Sequence, residues 1–190
     1  MAEWTHLENM EKELYVDNVP FEYEGFFSYQ ELLRLIDDWA KKHDYYKEMK
    51  SHKEKITPHG RNINLGIDFQ RKFSHIHFSV VVVEIEIEDM KDVIVELDGV
   101  RTKVQEGEIE AVFNGYLFTE LKERWETKPN IHFVRGLIDK FVYKLERADH
   151  PGVVISETKE LMSLIRAFLN LYKHRIKGHE KSSHGSHAKK

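Results

Sequence analysis

The stretch Arg61–Phe118, RNINLGIDFQRKFSHIHFSVVVVEIEIEDMKDVIVELDGVRTKVQEGEIEAVFNGYLF, decides the fold. It has the pattern of antiparallel strands joined by short turns. Its anchor is Leu97-Asp98-Gly99-Val100, because Asp-Gly between two β-rich runs selects a two-residue turn whose central residues both take positive φ. That turn sets Leu97 opposite Val100, Val95 opposite Thr102 and Val93 opposite Val104, all on one face. Glu96 and Arg101 then form a favourable cross-strand pair on the other face. A slip of one residue would turn the whole apolar set to water, so the register is strongly specified.

Two further turns follow from the same logic. Glu106-Gly107 as a two-residue loop pairs Val104 with Ile109, Thr102 with Ala111 and Val100 with Phe113. A three-residue loop at Asp89-Met90-Lys91 pairs Ile87 with Val93 and Ile85 with Val95. In both cases the apolar face continues unbroken. Upstream, Ile63, Leu65, Ile67 and Phe69 alternate with polar residues, the period of a half-buried strand. Between His75 and Glu88 the apolar phase switches inside Val80–Val83, which calls for a bulge that bends the strand or for burial on both faces. The bend is preferred, because a curved sheet suits a helix lying in its concavity.

Outside this region, Leu14–Gly25 is extended, and Pro20 confines it to an edge or a strand start. Ser28 with Glu31 forms a capping box, Phe27 with Leu32 a hydrophobic staple, and the helix they open carries Leu32, Leu33, Ile36, Trp39 and Ala40 on one face as far as His43. Tyr45–Lys55 reads as a polar, exposed strand, and Pro58-His59-Gly60 as a turn. Asn114-Gly115 is a turn or a bulge. A short helix is expected over Thr119–Thr127, then a long one after Pro129 with the apolar stripe Ile131, Val134, Leu137, Ile138, Phe141, Val142 and Leu145. His150-Pro151-Gly152 breaks it, and Ser156 caps a last helix over Glu157–Lys173. That helix is apolar around most of its circumference, which implies a deep position or a partner.

At 190 residues the chain is long enough for one domain with a proper core. Residues 1–13 form a loose N-terminus, 14–173 a single domain and 174–190 a disordered basic, histidine-rich tail. No apolar run reaches the roughly 20 residues of a membrane-spanning helix, and Met1-Ala2-Glu3-Trp4 lacks the features of a secretion signal, so a cytoplasmic location is expected. There is no cysteine, which excludes disulfides, thiolate metal sites and cysteine nucleophiles. The chain carries −4 overall, while Lys173–Lys190 holds six Lys/Arg and one Glu. The body is therefore strongly acidic and unsuited to nucleic acid.

The order strand, helix, antiparallel strands, long helix over Leu14–Arg147 resembles the helix-grip (START-like) proteins, which fold a curved sheet around a helix and often hold a hydrophobic ligand between the two. Gly115-Tyr116-Leu117 through Trp125-Glu126, Pro129 and Phe133-Val134-Arg135 is similar to a family of archaeal hypothetical proteins, a resemblance that implies no site residue.

The expected fold is α+β: a curved antiparallel sheet of five or six strands covered by helices, helix-grip-like, with an additional C-terminal helix. The expected function is a non-catalytic binding domain for a small apolar or amphipathic ligand, bounded by Val95, Val104, Ala111 and Phe113 of the sheet and Val134, Ile138 and Phe141 of the long helix. Trp39, Trp125, Tyr116 and Phe118 are further candidates for a pocket lining, or are simply core. The alternative is an interaction protein, with Leu161–Tyr172 pairing in a homodimer or docking on an assembly and the basic tail touching a membrane surface. A third possibility is a metal-dependent enzyme through His75 and His77, which share a strand face but need further ligands. Glu84, Glu86 and Glu88 share another strand face, where solvated charge is the ordinary role. No phosphate loop, nucleophile elbow, zinc-protease or kinase motif occurs, and no cofactor is called for.

Overall fold

The computed structural model describes residues 10–74, 76–97, 100–120 and 150–184. Among these, five strands form one antiparallel sheet and two helices accompany it: β1 (Glu11–Phe27), α1 (Tyr29–Lys42), β2 (Tyr46–Ile56), β3 (Arg61–Lys72), β4 (His77–Leu97), β5 (Val100–Thr119) and α2 (His150–His184). The strand order is β1-β5-β4-β3-β2. Strands β2 to β5 are thus a meander, and β1 closes the far edge beside β5. Pro20 lies on that edge strand, where the missing N–H costs no ladder bond within the sheet.

The Asp98-Gly99 dipeptide lies outside the described residues, but the strands flanking it pair in the register it implies: Leu97 with Val100, Glu96 with Arg101, Val95 with Thr102 and Val93 with Val104. The other two expected turns are corrected. Strands β4 and β5 run straight past Asp89-Met90-Lys91 and Glu106-Gly107, and these two stretches face each other, with Glu88 paired to Glu108 and Lys91 to Glu106. The ladder slips there by one residue, a bulge in β4 in which Asp89 takes φ 49°. Asn62 holds the bulge by accepting from the Asp89 amide at 3.1 Å. Gly107 is required opposite it, because a Cβ there would come within 2.8 Å of the Glu88 carbonyl oxygen and 3.1 Å of the Met90 Cα. A hairpin turn and this bulge can both place a residue at positive φ, as Asp89 is here, and only the partner strand decides between them.

The phase switch at Val80–Val83 is resolved as burial on both faces. Pairing of β4 with β3 and β5 continues through it without a slip, and Val80 and Val81 are exposed by only 4% and 0%. The preferred bend is therefore not at this point; the nearest slip is at Glu88/Lys91.

One side of the sheet is covered by both helices. Phe21, Tyr23 and Phe27 of β1, Ile63, Leu65, Ile67 and Phe69 of β3, Val81, Val83, Ile85 and Ile87 of β4, and Ile109, Ala111 and Phe113 of β5 share one buried cluster with the helices. The helices contribute Leu32, Ile36, Trp39 and Ala40 from α1 and Leu161, Ile165 and Leu169 from α2. Helix α1 opens at Ser28, whose hydroxyl accepts from the Glu31 amide, and is capped at His43, both as expected from the sequence. Strand β2 is polar and mostly exposed, also as expected.

Helix α2 begins earlier and ends later than its sequence pattern indicates. His150-Pro151-Gly152 belongs to the described helix, ahead of the expected cap at Ser156, and the helix it was expected to break lies outside the described residues. The Ser156 hydroxyl, expected as the cap, donates to the Val153 carbonyl inside the helix. The helix runs to His184, into the segment expected to be a tail. Gly115 lets it approach β5: a Cβ there would lie 2.9 Å from Thr158 Oγ1 and 3.1 Å from Val154 Cγ1. No turn forms at Asn114-Gly115, but the β1–β5 ladder slips on both sides of Val16, so the bulge expected here lies in β1, opposite these two residues, where the helix also crosses the strand. Further along α2, Tyr172 packs on Val104, with Phe26, Val93, Val95 and Phe168 around them.

Candidate functional site

The interface between sheet and helices is apolar along most of its length and turns polar at one end. That end is built from the C-terminus of α1, the start of β2, the end of β3, the start of β4 and the first turns of α2. Its local geometry starts at the α1 terminus. Asp44 takes φ 57°, the Tyr45 amide donates to the Ala40 carbonyl at 2.8 Å, and the Asp44 amide donates to the Lys41 carbonyl at 3.3 Å. This is a Schellman cap with aspartate in the place usually held by glycine. It turns the chain so that Tyr45 stacks on Trp39 at 5.1 Å, and His43 lies 5.4 Å from the same indole.

Glu157 of α2 is the centre of the cluster and is 8% exposed. Arg71 Nη2 donates to both of its oxygens, at 2.9 and 2.7 Å. The Tyr45 hydroxyl donates to it at 2.7 Å, and His43 Nδ1 lies 3.2 Å away. Arg71 Nη1 also donates to the His43 carbonyl at 2.8 Å, and the guanidinium lies between the Tyr45 and Phe73 rings, 4.7 and 4.6 Å from their centroids. Burying an ion pair is costly unless every charge is matched and hydrogen-bonded. Here the carboxylate is satisfied from β3 and from the connection between α1 and β2 at once.

Burial holds the Tyr45 phenol far above its ordinary range; its contact with Ser79 Oγ at 2.7 Å works against this, and the bond to Glu157 adds to it. Tyr45 is accordingly a neutral donor and not a base. Glu157 accepts from Arg71 and Tyr45, with His43 Nδ1 beside it, so both of its oxygens are engaged within the cluster.

Three polar atoms in this part of the molecule stand apart. Trp39 Nε1, Arg71 Nε and Thr119 Oγ1 are buried with no hydrogen-bond partner among the described residues. Trp39 and Arg71 share Tyr45 as a neighbour. Thr119 pairs across the ladder with His77, two residues from the Ser79 that faces Arg71.

The residues singled out from sequence are dispersed. Ala111 and Phe113 are in the main cluster with α2, and Val95 and Val104 pack around Tyr172. Val104 and the Ala111/Phe113 pair fall in two separate buried clusters that both meet α2, the first through Tyr172 and the second with Leu161, Ile165 and Leu169; the Glu106-Gly107 turn on which their expected pairing depended does not form. Val134, Ile138, Phe141 and Trp125 lie outside the described residues, as does the whole expected helix over 131–145. Among the described residues α1 and α2 both cover the apolar side of the sheet, and α2 is the helix the sequence made additional.

His75 is likewise outside the described residues. His77 is buried, with Nδ1 3.1 Å from Ser74 Oγ and its ring 5.1 Å from that of His150. Among the described residues no group of three or more His, Asp or Glu is placed to hold a metal ion. Glu84, Glu86 and Glu88 are exposed, two of them directly opposite Glu110 and Glu108. Tyr116 and Phe118 are half-buried, 6.3 Å apart, with the Lys12 ammonium over the Tyr116 ring. Of the apolar residues expected to dimerise, Leu161, Ile165, Leu169 and Tyr172 are buried in this chain, and Leu171 is 53% exposed. Among the described residues no helix is long and apolar enough to cross a membrane.

The polar cluster was not found by motif. Its signal in the sequence was Arg71 and Ser79, polar residues on strand positions whose neighbours along the same face are apolar. No protein-family model matches this chain, and no curated protein matches it either.

Proposed function

We propose that this chain is a non-catalytic binding domain of helix-grip type, taking a small amphipathic ligand between the sheet and the helices at the polar end of their interface. The observation that supports this is that Trp39 Nε1, Arg71 Nε and Thr119 Oγ1 are buried and have no hydrogen-bond partner among the described residues. A buried polar group left unpaired costs about 1–3 kcal/mol, so three in one region favour an occupant that pairs with them. Two of the three are N–H donors, which points to a ligand bearing carboxylate or carbonyl acceptors. The flanking Trp39, Tyr45, Phe69 and Phe73 rings fit an apolar or aromatic body. A long C-terminal helix lying on the sheet is also the arrangement expected of a helix-grip domain. The packed cluster around Phe113 and Ile165, with both residues at most 1% exposed, favours the polar end over the apolar stretch first expected to hold the ligand.

Native mass spectrometry of gently purified protein tests this. The expected result is a monomer carrying a small molecule, which Trp39→Phe loses or holds more weakly while remaining folded. Ligand-free protein that also gives no shift with amphipathic carboxylates would sink the proposal, and would assign the three polar atoms to ordered water.

A further inference from the structure

His43 closes α1, and its ring bridges α1 to α2 through two carboxylates. Nδ1 lies 3.2 Å from Glu157 Oε1 and Nε2 lies 3.2 Å from Glu160 Oε2. The second contact is an ion pair rather than an in-line hydrogen bond, since Nε2 has no well-aligned acceptor. A carboxylate oxygen can only accept, and a neutral imidazole carries one N–H. With Nδ1 donating to Glu157, a neutral ring would present its Nε2 lone pair to Glu160, which repels. Attraction at both nitrogens requires the imidazolium.

We infer that His43 is a proton-operated latch, which clamps the first turns of α2 to the end of α1 when charged and loosens them when neutral. The groups around it set how far it opens. On α1, Lys42 Nζ holds Glu160 at 2.7 Å, and this bond is the main cause of the lowered Glu160 pKa, with His43 adding to it. From β3, Arg71 holds Glu157, and ahead of β2, Tyr45 does the same. Glu157 therefore stays anchored when the ring loses its proton. Glu160 keeps only Lys42, whose side chain is 66% exposed and whose grip is correspondingly weak. Deprotonation thus frees the Glu160 side of the clamp and leaves the Glu157 side in place. The latch borders the polar end of the interface through Trp39, but it operates whether or not a ligand is held there.

Histidine is the side chain that changes charge between about pH 5 and pH 8, so hydrogen–deuterium exchange of the full chain across that range tests the latch. After correction for intrinsic exchange, amide protection over residues 153–161 is expected to fall by up to about fivefold from the acid to the neutral side, the upper end of what one partly exposed ion pair supplies. His43→Gln should show the loosened level at both ends of the range, and Glu160→Gln should flatten the response even if the first variant folds poorly. His150→Gln is the control, because His150 is a second histidine at the same end of α2. An unchanged pH response in either His43→Gln or Glu160→Gln overturns the inference, as does a response abolished by His150→Gln alone.

Discussion

Arg71 and Glu157 meet across the boundary between sheet and helix, with one guanidinium nitrogen donating to both carboxylate oxygens at 2.9 and 2.7 Å. The two residues are 86 positions apart, so the pair fixes the start of α2 over the end of β3. Removing one partner of such a buried pair strands the other charge, at a cost of about 3–5 kcal/mol. Glu157→Leu and Arg71→Met are each expected to destabilise the fold by roughly that amount. The double variant should be milder than the sum, because no orphaned charge remains. Urea unfolding of the four proteins in the cycle measures this, and strict additivity would remove the pair from its anchoring role.

Ile165 is the residue that commits α2 to the sheet. It is 1% exposed and shares a cluster with side chains from β1, β3, β4 and β5. Ile165→Ala should cost about 2–5 kcal/mol through lost burial and the cavity it leaves. Leu171→Ala, on the exposed side of the same helix, should stay within about 0.5 kcal/mol. Equal effects at the two positions would mean that α2 does not lie on the sheet as described.

Local signals carried the elements, and partner choice carried the errors. Ser28 with Glu31 announced α1, and the period-2 run from Ile63 to Phe69 announced β3, because caps and alternation are set by residues within a few positions. The register at Leu97 and Val100 was equally legible, since Asp-Gly constrains its own flanks. Asp89 and Gly107 sent the right local message, positive φ and close approach, but whether that makes a turn or a bulge depends on a strand elsewhere in the sequence. Glu157 was hidden for a related reason. A glutamate among apolar helix residues looks like surface charge until Arg71 arrives from β3 and His43 and Tyr45 from the connection between α1 and β2.

The bulge gives a direct prediction. A methyl group on residue 107 would press on backbone atoms of Glu88 and Met90, which cannot swing aside as a side chain would. Gly107→Ala is therefore expected to destabilise by about 1–3 kcal/mol, the usual cost of overpacking. Were Glu106-Gly107 a solvent-facing turn, the same change would cost much less. Thermal and urea midpoints of the variant decide between these, and a neutral outcome would restore the turn.

Alkaline pH should unfold the protein through its buried tyrosines. Tyr172 donates to Glu31 at 2.6 Å and joins the second half of α2 to the first turn of α1. Burial, helped by that bond, pushes its phenol up to about 12, and burial alone pushes Tyr23 to about 12. A folded pKa raised above the ordinary value of about 10 means that the native state prefers the neutral phenol. The stabilising contribution is therefore complete below pH ~10 and is lost as pH rises through the folded value, so stability should hold to about pH 10 and fall toward pH 12. Tyr172→Phe keeps the ring on Val104 and Phe168 but cannot ionise, so it should make that fall shallower while losing the Glu31 bond, worth about 1.5–3 kcal/mol, at neutral pH. Urea unfolding at a series of alkaline pH values, read beside phenolate absorbance, checks both parts. A profile as steep in Tyr172→Phe as in the parent would assign the alkaline transition to other groups.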